Sequence, residues 1–217
     1  MDAYPSRSTA KRSAAAPVTT GVKPRAGWPR SGWRAVPAVP KFLGLTGLIP
    51  FYVLCPPLIQ TAAAAAASVE VLEPLAEPLM QNLYPIAVPL QIGYGTAIVS
   101  FLGAVHWGSA MQSRSGHTTK LMFERYVWSV MPALVAFPAA GAGDKAGAAV
   151  IFCALMATFA IDAKFNWKGA LPKWYMALRV PLTAGAATAM FLTLWHVHAE
   201  DEAVHHDPGA PQAVTMA

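Results

Sequence analysis

The chain is short of charge. Only 12% of its 217 residues are Asp, Glu, Lys or Arg, against roughly 25% in a soluble domain. The shortage is concentrated in runs. Positions 42–69, 78–113, 126–143, 146–161 and 180–199 contain no charged side chain. Several of these runs reach the length of about 20 residues that crosses hydrocarbon. The run at 126–143 is the shortest, and Leu121-Met122-Phe123 extends its apolar character. Cysteine is scarce as well. Cys55 and Cys153 both lie in apolar runs and form no CxxC pair, so they read as buried free thiols rather than as a disulfide or metal framework. Catalytic signatures are missing too, with no GxGxxG, P-loop, HExxH, GxSxG or EF-hand pattern in the chain. Ser100 has no base on its helix face. The expectation is therefore a non-enzymatic protein with no cofactor, no metal and no small-molecule substrate.

The charge that is present is segregated. Residues 1–41 carry eight Lys/Arg against Asp2. The segment 60–85 is acidic, with Glu70, Glu73 and Glu77. Segments 112–125 and 163–179 are basic, 141–146 is neutral, and the tail from 198 is acidic. Lys and Arg set membrane orientation, and a model with five spans places all three basic segments on one side. The predicted fold is an all-α, multipass bundle of about five transmembrane helices at 41–59, 86–111, 123–140, 146–162 and 179–198. An extended outside loop is predicted over 60–85. The N-tail, 1–40, is rich in Ser, Ala, Arg and Pro and nearly free of acid. It reads either as an organellar transit peptide or as a disordered basic tail on anionic lipid. Nothing in it suggests nucleic acid binding. The remainder, 199–217, is an acidic, His-containing tail expected to be mobile.

Prolines punctuate the spans. Pro50 lies inside the first and Pro56-Pro57 near its outer end, and Pro132 and Pro138 lie in the third. Neighbouring helices in a membrane bundle re-satisfy the carbonyls that proline frees. Thr96, Ser100, Ala104 and Gly108 recur every four residues on the second span, a small-residue stripe suited to close helix packing. Leu72, Leu75, Leu79 and Leu83 have near-helical spacing in the 60–85 segment, which puts apolar side chains on one face.

Candidate functional residues are few. His106 is the ionisable residue deep in span two, and intramembrane ionisable groups are functional candidates by default. The plainer reading is a neutral histidine hydrogen-bonded across helices. Asp162 ends span four and Arg179 begins span five, so the two are placed to pair. That pair either holds the helices in register or belongs to an ion path. Trp107, Trp128, Trp167, Trp174 and Tyr175 fall near the inner interface and read as an aromatic belt. His196, His198, His205 and His206 form a loose histidine tract in which no fixed metal shell is evident.

Four motifs resemble the DUF3429, or transmembrane protein 69-like, family. They are Leu43-Gly44-Leu45-Thr46-Gly47-Leu48-Ile49-Pro50-Phe51; Tyr94-Gly95 with Ser100-Phe101-Leu102-Gly103 and His106-Trp107-Gly108; Trp128-Ser129-Val130-Met131-Pro132; and Leu171-Pro172-Lys173-Trp174-Tyr175 with Leu178-Arg179-Val180-Pro181-Leu182-Thr183. Their order matches the family. The resemblance implies a multipass protein, mitochondrial in eukaryotes, and carries over no catalytic residue. The functional expectation is an accessory subunit or assembly factor of a larger membrane complex. The mitochondrial inner membrane is the expected location, with the respiratory chain or ATP synthase as host and the N-terminus in the matrix. A bacterial or plastid inner membrane is the alternative location. The alternative function is a small transporter or ion carrier, for which five spans offer no equal halves.

Overall fold

A computed structural model describes residues 32–112 and 119–206. The transit-peptide reading, the basic residues before Gly32 and Arg114, and the last part of the acidic tail lie outside the described residues. Within them the fold is all helix, with no strand. A 3₁₀ turn at Trp33–Ala35 leads into α1 (Ala38–Thr46), α2 (Ile49–Val53) and α3 (Pro56–Ala67). After a turn, α4 (Glu73–Pro78) passes through a widened π turn (Leu79–Leu83) into α5 (Tyr84–Met111). Then follow α6 (Thr119–Ala136), a 3₁₀ turn (Phe137–Gly141), α7 (Asp144–Trp167) and α8 (Tyr175–His206).

Three helical stretches are long and apolar enough to cross a membrane: Glu73–Met111, Asp144–Trp167 and Tyr175–Ala203. The first predicted span is not one rod. Ala38–Val53 and Pro56–Ala67 meet at 75°, and counting that pair as one crossing makes four. The cause of the bend is local. Pro56 pushes the residue before it out of the helical region, and Cys55 is extended, with φ −82° and ψ 113°. The predicted third span, α6, does not qualify, because Lys120, Glu124 and Arg125 crowd its first two turns.

Two boundaries differ from the sequence reading. The outside loop predicted over 60–85 is largely helical, because alanine has the highest helix propensity and carries α3 through Ala67. From Glu73 the chain is helical again, so 56–83 forms a helical hairpin closed by a short turn at 68–72. The widened turn ends at Tyr84, just before Pro85, which offers no N–H to the carbonyl of Gln81. Likewise the tail expected from 199 continues α8 to His206.

The core is built from α2, α5, α7 and α8, around Phe51, Ile92, Val99, Ile151, Leu155 and Met190. Polar groups on α5 repair the breaks in the first span. Gln91 Nε2 donates to the Phe51 carbonyl at 2.7 Å, and the Tyr94 hydroxyl donates to the Gly47 carbonyl at 2.7 Å. The hydrogen bond each carbonyl would make in an unbroken helix is thus supplied from a neighbouring one. The packing stripe on α5 is not the predicted one. Ala104 and Gly108 face outward, Ser100 is half-buried, and Thr96 reaches α6, 3.4 Å from the Ala136 carbonyl. The close approach runs one residue earlier, on the face of Gly95, Val99 and Gly103. A Cβ on Gly95 would lie 2.5 Å from Ile151 Cγ2, and one on Gly103 2.6 Å from the Ser129 carbonyl.

Charge sorts the bundle into two ends. The C-terminal ends of α5 and α7 meet the N-terminal ends of α6 and α8, tied by Ser109 to the Ala170 carbonyl and Lys168 to Glu124. This is the basic end. The opposite, acidic end joins Tyr84 of α5 to His196 and Glu200 of α8.

Candidate functional site

α7 turns into the loop before α8 through Gly169, whose φ of +68° favours glycine. The Ala170 amide returns to the Phe165 carbonyl at 3.0 Å and that of Gly169 to Asn166 at 2.9 Å, the bond pair of a Schellman stop. This brings the start of α8 back beside the end of α7. Thr158 and Asp162 then share a face of α7, one turn apart, opposite Tyr175, Arg179 and Thr183 on α8.

The structure brings Asp162 and Arg179 together. Arg179 Nε donates to Asp162 Oδ2 at 2.6 Å, Nη1 to Thr183 at 2.6 Å and Nη2 to Thr158 at 3.0 Å. The Tyr175 hydroxyl donates to the same carboxylate at 3.1 Å. His106 joins them from α5, with Nε2 2.9 Å from Asp162 Oδ1. Its ring lies 4.7 Å from that of Phe165. Asp162 is 1% exposed and Arg179 5%. A desolvated charge needs a counter-charge and hydrogen bonds to its remaining lone pairs, and Asp162 has three such partners. With Nε2–H turned to Asp162, His106 Nδ1 is an acceptor without a partner.

Arg179 and Tyr175 also form part of the wall of a groove of about 660 Å³ between α1, α2, α5 and α8. Apart from Ser109 and Gln112 the rest of the wall is apolar, supplied by Leu43, Leu48, Phe101, Leu102 and Leu182 among others. Phe101 and Leu43 are exposed, so the groove faces outward from the bundle. Asp162 and His106 lie behind Arg179 and do not line it.

Arg125 enters the sequence reading only as part of the basic segment 112–125, at the start of the predicted third span. It is buried, donating from Nη2 to Ser109 Oγ and to the Ala170 carbonyl, the latter at 3.1 Å. The signal for it was its phase. Arg125, Ser129, Pro132 and Ala136 are the buried residues of α6 and fall on one helical face. Gln91 was missed in the same way, a polar residue on the buried face of α5.

The remaining candidates separate. Trp107 points outward, in edge contact with Tyr126 at 5.1 Å. Trp128 packs with Phe165 and Leu171, Trp174 lines the groove, and Trp167 is 95% exposed. His196 and His198 pair separately, with Glu200 at 3.1 Å and Glu202 at 3.4 Å. The side chains of His205 and His206 lie outside the described residues. Cys55 is buried against the Ala189 carbonyl, whereas Cys153 is exposed on the outer face of α7, correcting the reading of two buried thiols.

The family model described as "Protein of unknown function (DUF3429)" matches residues 36–195. "Transmembrane protein 69" of Xenopus tropicalis is 29% identical over 153 residues, covering 69% of this chain and 51% of that protein. The chain thus spans about half the length of the curated relative it matches. No solved structure matches.

Proposed function

The chain belongs to the DUF3429 family of membrane proteins, and from that premise we propose that it is a non-enzymatic accessory subunit or assembly factor of a larger membrane complex. The observation that carries the reading is the hairpin at the acidic end. The helical stretch Glu73–Met111 has 39 residues, about 58 Å at 1.5 Å per residue, against roughly 30 Å of hydrocarbon. Its first turns therefore stand clear of the bilayer, with α3 packed beside them. At the tip Val71 is 85% exposed, and Val69, Leu72 and Leu75 are exposed with it. Apolar side chains gathered outside lipid mark a protein contact. The buried ionisable groups His106, Asp162 and Arg179, by contrast, are bonded to one another.

The full reading has five crossings. Its fifth is α6, whose charges sit at the basic end. The N-terminus and basic end face the mitochondrial matrix, following the excess of Lys and Arg, in the inner membrane. The host complex is of the respiratory chain or ATP synthase, and the acid-poor N-tail supports organellar import. Protease access to a C-terminal tag in mitoplasts tests the orientation, and protection there contradicts it. Migration on native gels after mild extraction tests the partner. The wild type is expected in a large assembly, and Val71→Asp with Leu75→Asp in a small one. A wild type that runs as a free monomer sinks the accessory reading. The second reading, a small ion or solute carrier, then takes its place. It is favoured by the 75° break in the first span, since broken helices frame carrier sites.

A further inference from the structure

The groove between α1 and α5 is not explained by a partner at the acidic end. It opens at the other end and toward lipid. α1 leans on α8, where a Cβ on Gly44 would meet Leu182 at 2.7 Å. α2 leans on α5 through Phe51 and Tyr94, with ring centroids 5.1 Å apart. Between these two contacts Leu43 of α1 and Phe101, Val105 and Gly108 of α5 are left lining an open slot. The volume of about 660 Å³ falls in the range of small-molecule sites, about 300–1,000 Å³. Its long apolar wall accepts hydrocarbon. Its mouth is different in chemistry. Val39-Pro40 and Pro172-Trp174 border it at the basic end, with Ser109, Gln112 and Tyr175 as polar groups. Lys41 directly follows Pro40, and Lys173 lies between Pro172 and Trp174. Lys41 Nζ stands 4.9 Å over the Trp33 ring. Arg179 is engaged with Asp162 and contributes wall rather than free charge.

We propose that this groove binds an anionic phospholipid, one acyl chain lying along α5 and the phosphate at the mouth near Lys41 and Lys173. The complementarity is twofold: an apolar wall long enough for a lipid tail, and two lysines next in sequence to the residues of its mouth. A protein helix would match the apolar wall but would gain from two lysines at its end only if it presented a C-terminus or carboxylates there, whereas every anionic phospholipid carries its charge at that end of its tails. This inference is independent of the proposed complex, because it concerns the opposite end of the molecule.

The test uses the full chain purified in mild detergent and titrated with phosphatidylglycerol or phosphatidylcholine, with bound lipid counted by native mass spectrometry. A lysine near the phosphate contributes on the order of fivefold in affinity, so two favour phosphatidylglycerol by about thirtyfold. Gly108→Trp fills the groove from a position where an added Cβ meets nothing within 4 Å, and is expected to abolish the adduct. Gly93→Trp, equally uncrowded but outside the groove, is the control and is expected to keep it. Lys41→Gln with Lys173→Gln is expected to bring the two lipids to parity, and this surface variant serves if Gly108→Trp does not fold. Equal binding of both lipids by the wild type overturns the proposal, as does unchanged binding by Gly108→Trp. Should Gly108→Trp disperse a native complex while leaving lipid binding intact, the groove belongs to a protein and the proposal is wrong.

Discussion

Arg179→Gln is the most informative single change in the basic-end cluster. It leaves Asp162, 1% exposed, with only His106 and Tyr175 as partners. Breaking a buried ion pair from one side costs about 3–5 kcal/mol, because the other charge stays desolvated. For a chain of this length each kcal/mol moves the melting temperature by about 2–4 °C, so the loss is roughly 6–20 °C. Asp162→Asn should cost less. It leaves the charge on Arg179, which borders the groove and retains Thr158 and Thr183 as acceptors. The double variant removes both charges and should melt above Arg179→Gln alone. The assay is thermal unfolding in one detergent for wild type, both singles and the double. Losses that add to within about 0.5 kcal/mol would mean the two groups are uncoupled, and the account of the cluster as a mutually neutralised unit would be refuted.

Three further outcomes follow from the packing. Gly103→Leu should destabilise by about 1–3 kcal/mol in the same melts, since its Cβ meets the Ser129 carbonyl at 2.6 Å, whereas Gly93→Leu should be close to neutral. Gln91→Leu removes the donor to the Phe51 carbonyl and should cost about 1–3 kcal/mol. Proteolysis at the bend near Cys55 should accelerate with it, and an unchanged cleavage rate would count against the repair of that break. Tyr84→Phe removes the hydroxyl that meets Gln60, His196 and Glu200. Hydrogen exchange should then rise in α3 and the end of α8 while the basic end is unaffected.

The long charge-free runs made the main helices legible, because a helix in lipid must be apolar all round and needs no phase to be seen. Asp162 and Arg179 were legible for the same reason: they are charges at the edges of such runs, and a short connection brings those edges together. What stayed hidden depended on phase or register. Arg125 counts only toward the charge of segment 112–125 because nothing in the charge pattern separates a buried cation at a helix start from a solvated one. Thr96, Ser100, Ala104 and Gly108 have the same four-residue spacing as the face that packs. Composition identifies a small-residue period but does not say which of four rows faces a neighbour. The part of the hairpin beyond residue 59 reads as loop because its prolines and glutamates suggest one. Proline is tolerated in the first turn of a helix, and Pro74 occupies such a position in α4.

The two ends of the bundle differ in how they are held, and that difference bears on function. At the basic end two buried arginines act on one connection: Arg125 grips the Ala170 carbonyl, and Arg179 binds Asp162 across the same turn. Buried charged hydrogen bonds are the strong ones, so this end should open only with global unfolding. At the acidic end the ties are more exposed. The Lys145–Asp201 pair is about half exposed on both sides, and such pairs contribute about 0–1 kcal/mol. The hairpin with its apolar tip is therefore mounted on the softer end. A segment that must adapt to a protein partner is drawn from the less stable part of a fold, whereas a groove that holds a lipid in one place gains from rigid walls. If the hairpin and the groove act as proposed, the distribution of buried charge puts the adaptable contact on the softer end and the fixed one on the more rigid end.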